Sequence, residues 1–99
     1  MNRHITRFST AAQRRMRRIP RKEAVRILRR LSELQQALDV GDTSGFDVKP
    51  LAGHQGRWRL RVCDYRVVYT LDKDDEGQPI VWVWVIAVGN RRDVYGQGF

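Results

Sequence analysis

The sequence predicts an α+β domain of order β-α-α-β-β-β, with a helical hairpin packed on one face of a mostly antiparallel four-stranded sheet. Three observations carry this. Apolar residues recur at helical spacing from Phe8 to Leu38. Residues 57–62 and 65–71 alternate at the period of a strand, and only Cys63 and Asp64 separate them, as in a tight antiparallel hairpin. Residues 80–88 are almost wholly apolar, the mark of a strand buried on both faces and central in its sheet. Helices grouped on one side of such a sheet define the class.

Residues 4–8 form a short first strand. Ser9 and Thr10 then supply N-caps, because a short side-chain oxygen can accept from the unpaired N–H groups of a first helical turn. Phe8, Ala12, Met16 and Ile19 line one face of that helix. Pro20 ends it and suits the first turn of the next. Ala24, Ile27, Leu28, Leu31, Leu34 and Leu38 continue the period to Gly41, a plausible stop. Residues 42–56 read as loop, broken by Gly45, Pro50, Gly53 and Gly56. Tyr65, Val67, Tyr69 and Leu71 share one face of the next hairpin's second strand; Arg66, Val68 and Thr70 share the other. Trp82 and Trp84 are assigned to the core, although exposed they could stack bases. No repeat or linker interrupts the chain, so residues 1–99 are expected to be a single domain.

The net charge of +8 favours a polyanionic partner: RNA, DNA or an acidic protein. No apolar span is long enough to cross a bilayer, and the first residues lack the apolar core of a secretory signal. One cysteine permits no internal disulfide, and a reducing cytoplasm is the expected compartment. Two histidines and one cysteine, far apart, argue against a zinc site, and neither metal nor cofactor is expected. His4, His54 and Cys63 are read as inert.

The basic residues fall in two groups. The helical hairpin carries many, among them Arg17, Arg18 and Lys22, suited to a broad electrostatic footprint on RNA without base reading. The sharper group is Arg57, Arg59 and Arg61, which alternate onto one face of a strand, with Arg66 just past the turn. Solvent faces of sheets normally mix signs, and no carboxylate interrupts this row. Guanidinium stays charged and its planar fork matches phosphate oxygens, so the row suits a phosphodiester. Lys49, in the extended segment before Pro50, is either a backbone-facing cation or simply solvated.

Residues 47–53 (Asp-Val-Lys-Pro-Leu-Ala-Gly), 57–69 (Arg-Trp-Arg-Leu-Arg-Val-Cys-Asp-Tyr-Arg-Val-Val-Tyr) and 88–95 (Val-Gly-Asn-Arg-Arg-Asp-Val-Tyr) resemble, in this order, the RelE/ParE toxin superfamily. The resemblance covers nearly the whole chain. It implies a small basic toxin of a type II toxin–antitoxin pair. The RelE branch cleaves mRNA in the ribosomal A site; the ParE branch poisons DNA gyrase and lacks the cleavage residues. The positions that match the RelE-type site are Arg57 and Arg59 on the strand before the central turn, Arg66 after the turn's Tyr, Arg91 after the last strand, and Tyr95. All five are filled with suitable chemistry, which selects the mRNA interferase branch. Arg61, Lys49, Arg92, Arg17, Arg18 and Lys22 are assigned to RNA binding. Arg stands where the best-known members have Lys, Cys63 where many have Gly, and Asn90 where many have His.

The resemblance implies a metal-independent endoribonuclease that attacks the phosphate through the 2′-hydroxyl. Its partners would be a cognate antitoxin with an acidic segment, the 70S ribosome, mRNA and rRNA, and no membrane. Tyr95→Phe and Arg66→Ala are each expected to abolish toxicity with the fold intact. The alternatives are a ParE-like gyrase inhibitor and a non-catalytic RNA- or ribosome-binding module of the same fold.

Overall fold

The computed structural model describes residues 3–74 and 76–97. Strand β1 (Arg3–Phe8) leads into helices α1 (Thr10–Arg18) and α2 (Arg21–Val40); β2 (Val48–Pro50), β3 (Trp58–Val62), β4 (Tyr65–Lys73) and β5 (Ile80–Asn90) follow, and a 3₁₀ turn (Val94–Gly96) comes last. The sheet order is β1-β5-β4-β3-β2, with β1 parallel to β5 and every other pair antiparallel. The α+β class is as expected.

The helix boundaries follow from local chemistry. Ser9 Oγ accepts from the Ala12 N–H at 3.1 Å and starts α1. Pro20 has no N–H to leave unpaired and sits as the N-cap of α2. Gly41 ends α2 in the left-handed region at φ 82°, where its N–H reaches the carbonyls of Ala37 and Leu38. The stripe Ile27, Leu31 and Leu34, with Ala12 of α1, packs on Leu60, Val67, Tyr69, Val83 and Val85 of the sheet. Leu28 falls one step further round the helix and is exposed, contrary to its assignment to the apolar face.

Three other expectations change. The sheet has five strands, because Val48–Pro50 within the expected loop pairs with β3 as an edge strand. Pro50, read as a breaker, is tolerated there because an edge strand does not need every N–H. Strand β5 continues to Asn90 rather than ending at Val88. It also carries a bulge: Tyr69 pairs with Val85 and Val68 with Ala87, so Ile86 is the extra residue. The bulge lets Val85 and Val88 both join the helix-side core although three residues separate them. Trp82 and Trp84, expected in the core, lie half-buried on the opposite sheet face.

The outer edge of β1 is closed by α2. Asp39 Oδ1 accepts from the His4 N–H at 2.6 Å, and Gln35 Oε1 accepts from the Thr6 N–H at 2.8 Å. Side chains thus satisfy donors that would otherwise invite another strand. Among the described residues no helix is long and apolar enough to cross a membrane.

Candidate active site

The face of the sheet away from the helices positions the candidate residues. On β3, Leu60 and Val62 point to the core, so Arg59 and Arg61 point to the open side. Register places Arg66 directly opposite Arg61 and Val68 opposite Arg59, with Lys49 of β2 opposite Arg59 on its other flank. Arg57, one residue before β3, continues the same side. The strand cations therefore share one surface.

That surface is not free of acid. Asp47, just before β2, lies 3.0 Å from Arg59 Nη2, and the Arg59 side chain is only 14% exposed. The expected carboxylate-free row gains an ion-pair partner twelve residues upstream in sequence. Arg66 is 8% exposed. Its Nη1 donates to the carbonyl oxygens of Cys63 at 3.2 Å and Tyr65 at 3.1 Å. Arg61 Nε donates to the same Cys63 carbonyl at 3.4 Å. Arg57 differs: its Nε is buried and, among the described residues, has no hydrogen-bond partner. Cys63 itself sits at φ 53° in the turn.

The chain after β5 folds back onto this face. Asn90 Oδ1 accepts from the N–H groups of Arg92 at 2.9 Å and Asp93 at 3.0 Å, turning the backbone. Val94 is fully buried against Val68 and Ala87, beside Leu51 and Ile86. Gln97 Nε2 donates to the Val88 carbonyl at 2.9 Å and holds the end of the segment. Tyr95 is then displayed outward, 46% exposed, and among the described residues its hydroxyl bonds to nothing. Tyr69 is the contrast: its phenol lies in the core, where burial pushes its pKa up to about 12. Sequence reasoning missed the role of Asn90. The signal was present, since an Asn side chain commonly accepts from backbone N–H groups two residues on.

The remaining candidates lie elsewhere. The Arg91 N–H donates to the Asp64 carbonyl at 3.3 Å, and its side chain lines a depression with Asp64, Asn90 and Arg92 at the end of β5. Arg18 lines a separate cleft with Arg15, Tyr65, Gly89 and Asp93, and Lys22 a shallow groove on α2 with Arg26 and Arg29. Arg17 is exposed in the last turn of α1. The structure thus brings Arg57, Arg59, Arg61, Arg66, Lys49 and the turn bearing Tyr95 to one sheet face, sets Arg91 and Arg92 at its end, and leaves Arg17, Arg18 and Lys22 on the helical layer. Among the described residues no three His, Cys, Asp or Glu side chains gather as metal ligands. What the open face offers is a set of fixed cations and one free phenol, chemistry for holding an anion and moving a proton.

Comparisons agree with this architecture. The RelB–RelE antitoxin–toxin complex of Methanococcus jannaschii aligns with a TM-score of 0.64 at 20% identity, over 93% of this chain and 96% of that one. The archaeal RelE–RelB complex of Pyrococcus horikoshii OT3 gives 0.60 at 19% identity, over 90% and 96% of the two chains. The RelBE2 toxin–antitoxin complex of Mycobacterium tuberculosis gives 0.59 at 24% identity, over 87% and 95%. These likenesses establish a shared fold. No curated protein matches the chain by sequence. The family described as ParE toxin of type II toxin-antitoxin system, parDE, matches residues 6–95, from β1 through the exposed tyrosine. The chain therefore belongs to the ParE toxin family, within the RelE/ParE superfamily of type II toxin–antitoxin toxins.

Proposed function

We propose that this toxin is a metal-independent endoribonuclease that cuts mRNA in the ribosomal A site, and that a cognate antitoxin with an acidic segment neutralises it. One observation carries the reading. Val94 seats the last turn on Val68, the cross-strand neighbour of Arg59, so the turn bearing the exposed Tyr95 lies on the same face as the strand arginines.

In the reaction the ribose 2′-oxygen forms a bond to the adjacent phosphorus and the bond from phosphorus to the next 5′-oxygen breaks. The products are a 2′,3′-cyclic phosphate and a 5′-hydroxyl. Tyr95, in its phenolate form, takes the 2′ proton and becomes the phenol. Arg57, Arg59 and Arg66 hold the phosphate as negative charge builds in the transition state, and each preorganised donor is worth about 10²–10³ in rate. A phosphate reaching Arg59 displaces Asp47, which keeps the guanidinium oriented until then. Arg91 stabilises the leaving oxygen through charge, because guanidinium gives up its proton reluctantly; water supplies the proton that completes the 5′-hydroxyl. The open face is shallow, so the ribosome positions the strand in line. The helical cations Arg17, Arg18 and Lys22 and the rim residues Lys49, Arg61 and Arg92 contact rRNA and mRNA backbone.

The match to the ParE family favours one second reading, inhibition of DNA gyrase by binding alone. Brief expression followed by mapping of mRNA 5′ ends separates the two. Codon-phased ends that vanish with Tyr95→Phe support cleavage. Intact mRNA with accumulating DNA breaks supports gyrase poisoning and rejects the nuclease.

A further inference from the structure

Between the strand arginines and β1, the open sheet face carries two tryptophans that the cleavage chemistry does not use. Trp82 and Trp84 lie half-buried on β5. The exposed Arg7 of β1 places its guanidinium 4.5 Å from the Trp82 ring centroid. Register continues the row across the sheet. Arg7 pairs with Trp84, Trp84 with Thr70, and Arg57, next after the Trp58–Tyr69 pair, falls opposite Thr70. Arg57 is the residue whose Nε is buried and, among the described residues, without a hydrogen-bond partner.

We propose that this row is a stacking platform for single-stranded RNA. Nucleobases beside the scissile linkage lie on the Arg7–Trp82 layer and on Trp84, and Arg57 holds the intervening phosphate. This extends the proposed cleavage site along its substrate and rests on that reading for the identity of the strand. Three features select single-stranded RNA over a protein segment. Bases stack on aromatic rings and on guanidinium planes alike, so a Trp–Arg layer presents a π-surface backed by positive charge. Asp47 is neutralised by Arg59 at 3.0 Å, and Asp72, oriented by the Thr70 hydroxyl at 3.0 Å, keeps its charge but is outnumbered by Arg7, Arg57, Arg61 and Arg66. Residues two apart on a strand are separated by ~7 Å, about twice the ~3.4 Å step of stacked nucleotides. Two bases seated on Trp82 and Trp84 are thus drawn off one another. An unstacked linkage is what in-line attack by a 2′-hydroxyl requires.

The test uses the purified full chain and a fluorescent single-stranded 2′-O-methyl RNA oligonucleotide, which cannot be cleaved. The same sequence as a duplex and a polyglutamate peptide are the comparison ligands. Arg7→Gln and Trp82→Leu are each expected to weaken single-strand binding about tenfold, to leave duplex binding unchanged, and Trp82→Phe to restore most of the loss. Tryptophan emission of the unmutated chain is expected to be quenched by the single strand. If Trp82→Leu does not fold, Arg7→Gln, Trp82→Phe and the quenching decide. Unchanged single-strand affinity overturns the platform. So does an equal loss for duplex and single strand, which reduces the effect to bulk charge, or a loss confined to polyglutamate, which marks a protein dock. The two readings fail separately. A toxin that cuts no RNA but binds the strand through Arg7 and Trp82 refutes the nuclease and keeps the platform. Normal cleavage with unchanged affinity in both variants refutes the platform alone.

Discussion

Arg61 and Arg66 face each other directly across the β3–β4 hairpin, and both donate to the carbonyl oxygen of Cys63. Like charges opposed on a sheet repel. Here a shared backbone acceptor draws the two guanidiniums toward the turn, and Arg66 adds a bond to the Tyr65 carbonyl. Arg66 is therefore part of the hairpin's own wiring as well as a candidate phosphate ligand.

This changes what Arg66→Ala is expected to do. Removing this buried charged donor takes the side-chain donor from the Tyr65 carbonyl and leaves the Cys63 carbonyl to Arg61 alone, at a cost of about 1–3 kcal/mol. The thermal midpoint should drop by roughly 4–8 °C for each of those kcal/mol. The fold does not stay untouched, and loss of toxicity in this variant must be read beside a melting curve. Arg66→Lys, which keeps the charge but not the planar fork, should recover less than half the lost stability. A midpoint unchanged in Arg66→Ala would contradict the structural role.

Cys63 holds φ 53° at the turn between the same two strands. The left-handed region costs a side-chain-bearing residue roughly 1–2 kcal/mol, and glycine escapes that cost. Cys63→Gly should raise the thermal midpoint by a few degrees, roughly 4–8 °C per kcal/mol gained. The Sγ contact from Arg26 at 3.5 Å is weak and its loss offsets little. Differential scanning calorimetry checks the sign; a lower midpoint would mean the turn is not strained.

Much of this architecture was legible in the sequence because its signals were periodic. The alternation of arginines with Trp58, Leu60 and Val62 fixed both faces of β3, and Ser9, Pro20 and Gly41 punctuated the helices as their backbone chemistry dictates. What escaped was non-local. Asp47 meets Arg59 only because β2 pairs with β3, and a three-residue edge strand ending in proline leaves no periodic trace. The bulge at Ile86 is invisible in a uniformly apolar run, and so was the side on which Trp82 and Trp84 emerge. The buried bonds of Arg66 to its own turn carry no sequence signal, since an arginine reads the same whether it serves a ligand or a carbonyl.

Asp39 makes the edge cap of β1 sensitive to acid. Backbone and side-chain hydrogen bonds from His4 hold its carboxyl below the usual range. A carboxylate with a depressed folded-state pKa contributes stability that is present above its unfolded pKa near 3.8 and lost as pH falls through the lower folded value. Asp39→Asn should flatten the acid limb of a melting-point-versus-pH curve while lowering the midpoint at neutral pH. An acid limb identical to that of the unmutated protein would show that the cap does not titrate with folding.

Asp47 should act as a built-in competitor for RNA phosphate. The ion pair with Arg59 must open before that guanidinium can take a new anion. Asp47→Ala should tighten single-stranded RNA binding, because no ion pair has to open first, and Arg59→Ala should flatten the dependence of log affinity on log salt by about 0.7, the loss of one phosphate contact. Fluorescence anisotropy across a salt series measures both. An unchanged slope would mean that Arg59 does not reach the backbone.

The seating of the last turn offers the most direct link between packing and chemistry. A methyl group added at Gly89 would stand 3.0 Å from Gln97 Nε2 and 3.3 Å from the Val94 backbone nitrogen. Both neighbours belong to the segment that carries Tyr95, and the Val94 backbone cannot swing away as a side chain can. Gly89→Ala should therefore lift the turn off Val68 while the helix-side core, on the other face of the sheet, stays packed. Val94→Ala loosens the same contact by removing two buried methyl groups, at about 1–3 kcal/mol of local packing. Both variants are expected to lose RNA cleavage by tenfold or more while the far-ultraviolet spectrum moves little, and the thermal midpoint of Val94→Ala should fall by roughly 4–8 °C per kcal/mol lost. Hydrogen exchange should rise in residues 91–97 alone. Full activity in Gly89→Ala would show that the position of Tyr95 does not depend on this close approach, and would separate the phenol from the chemistry assigned to it.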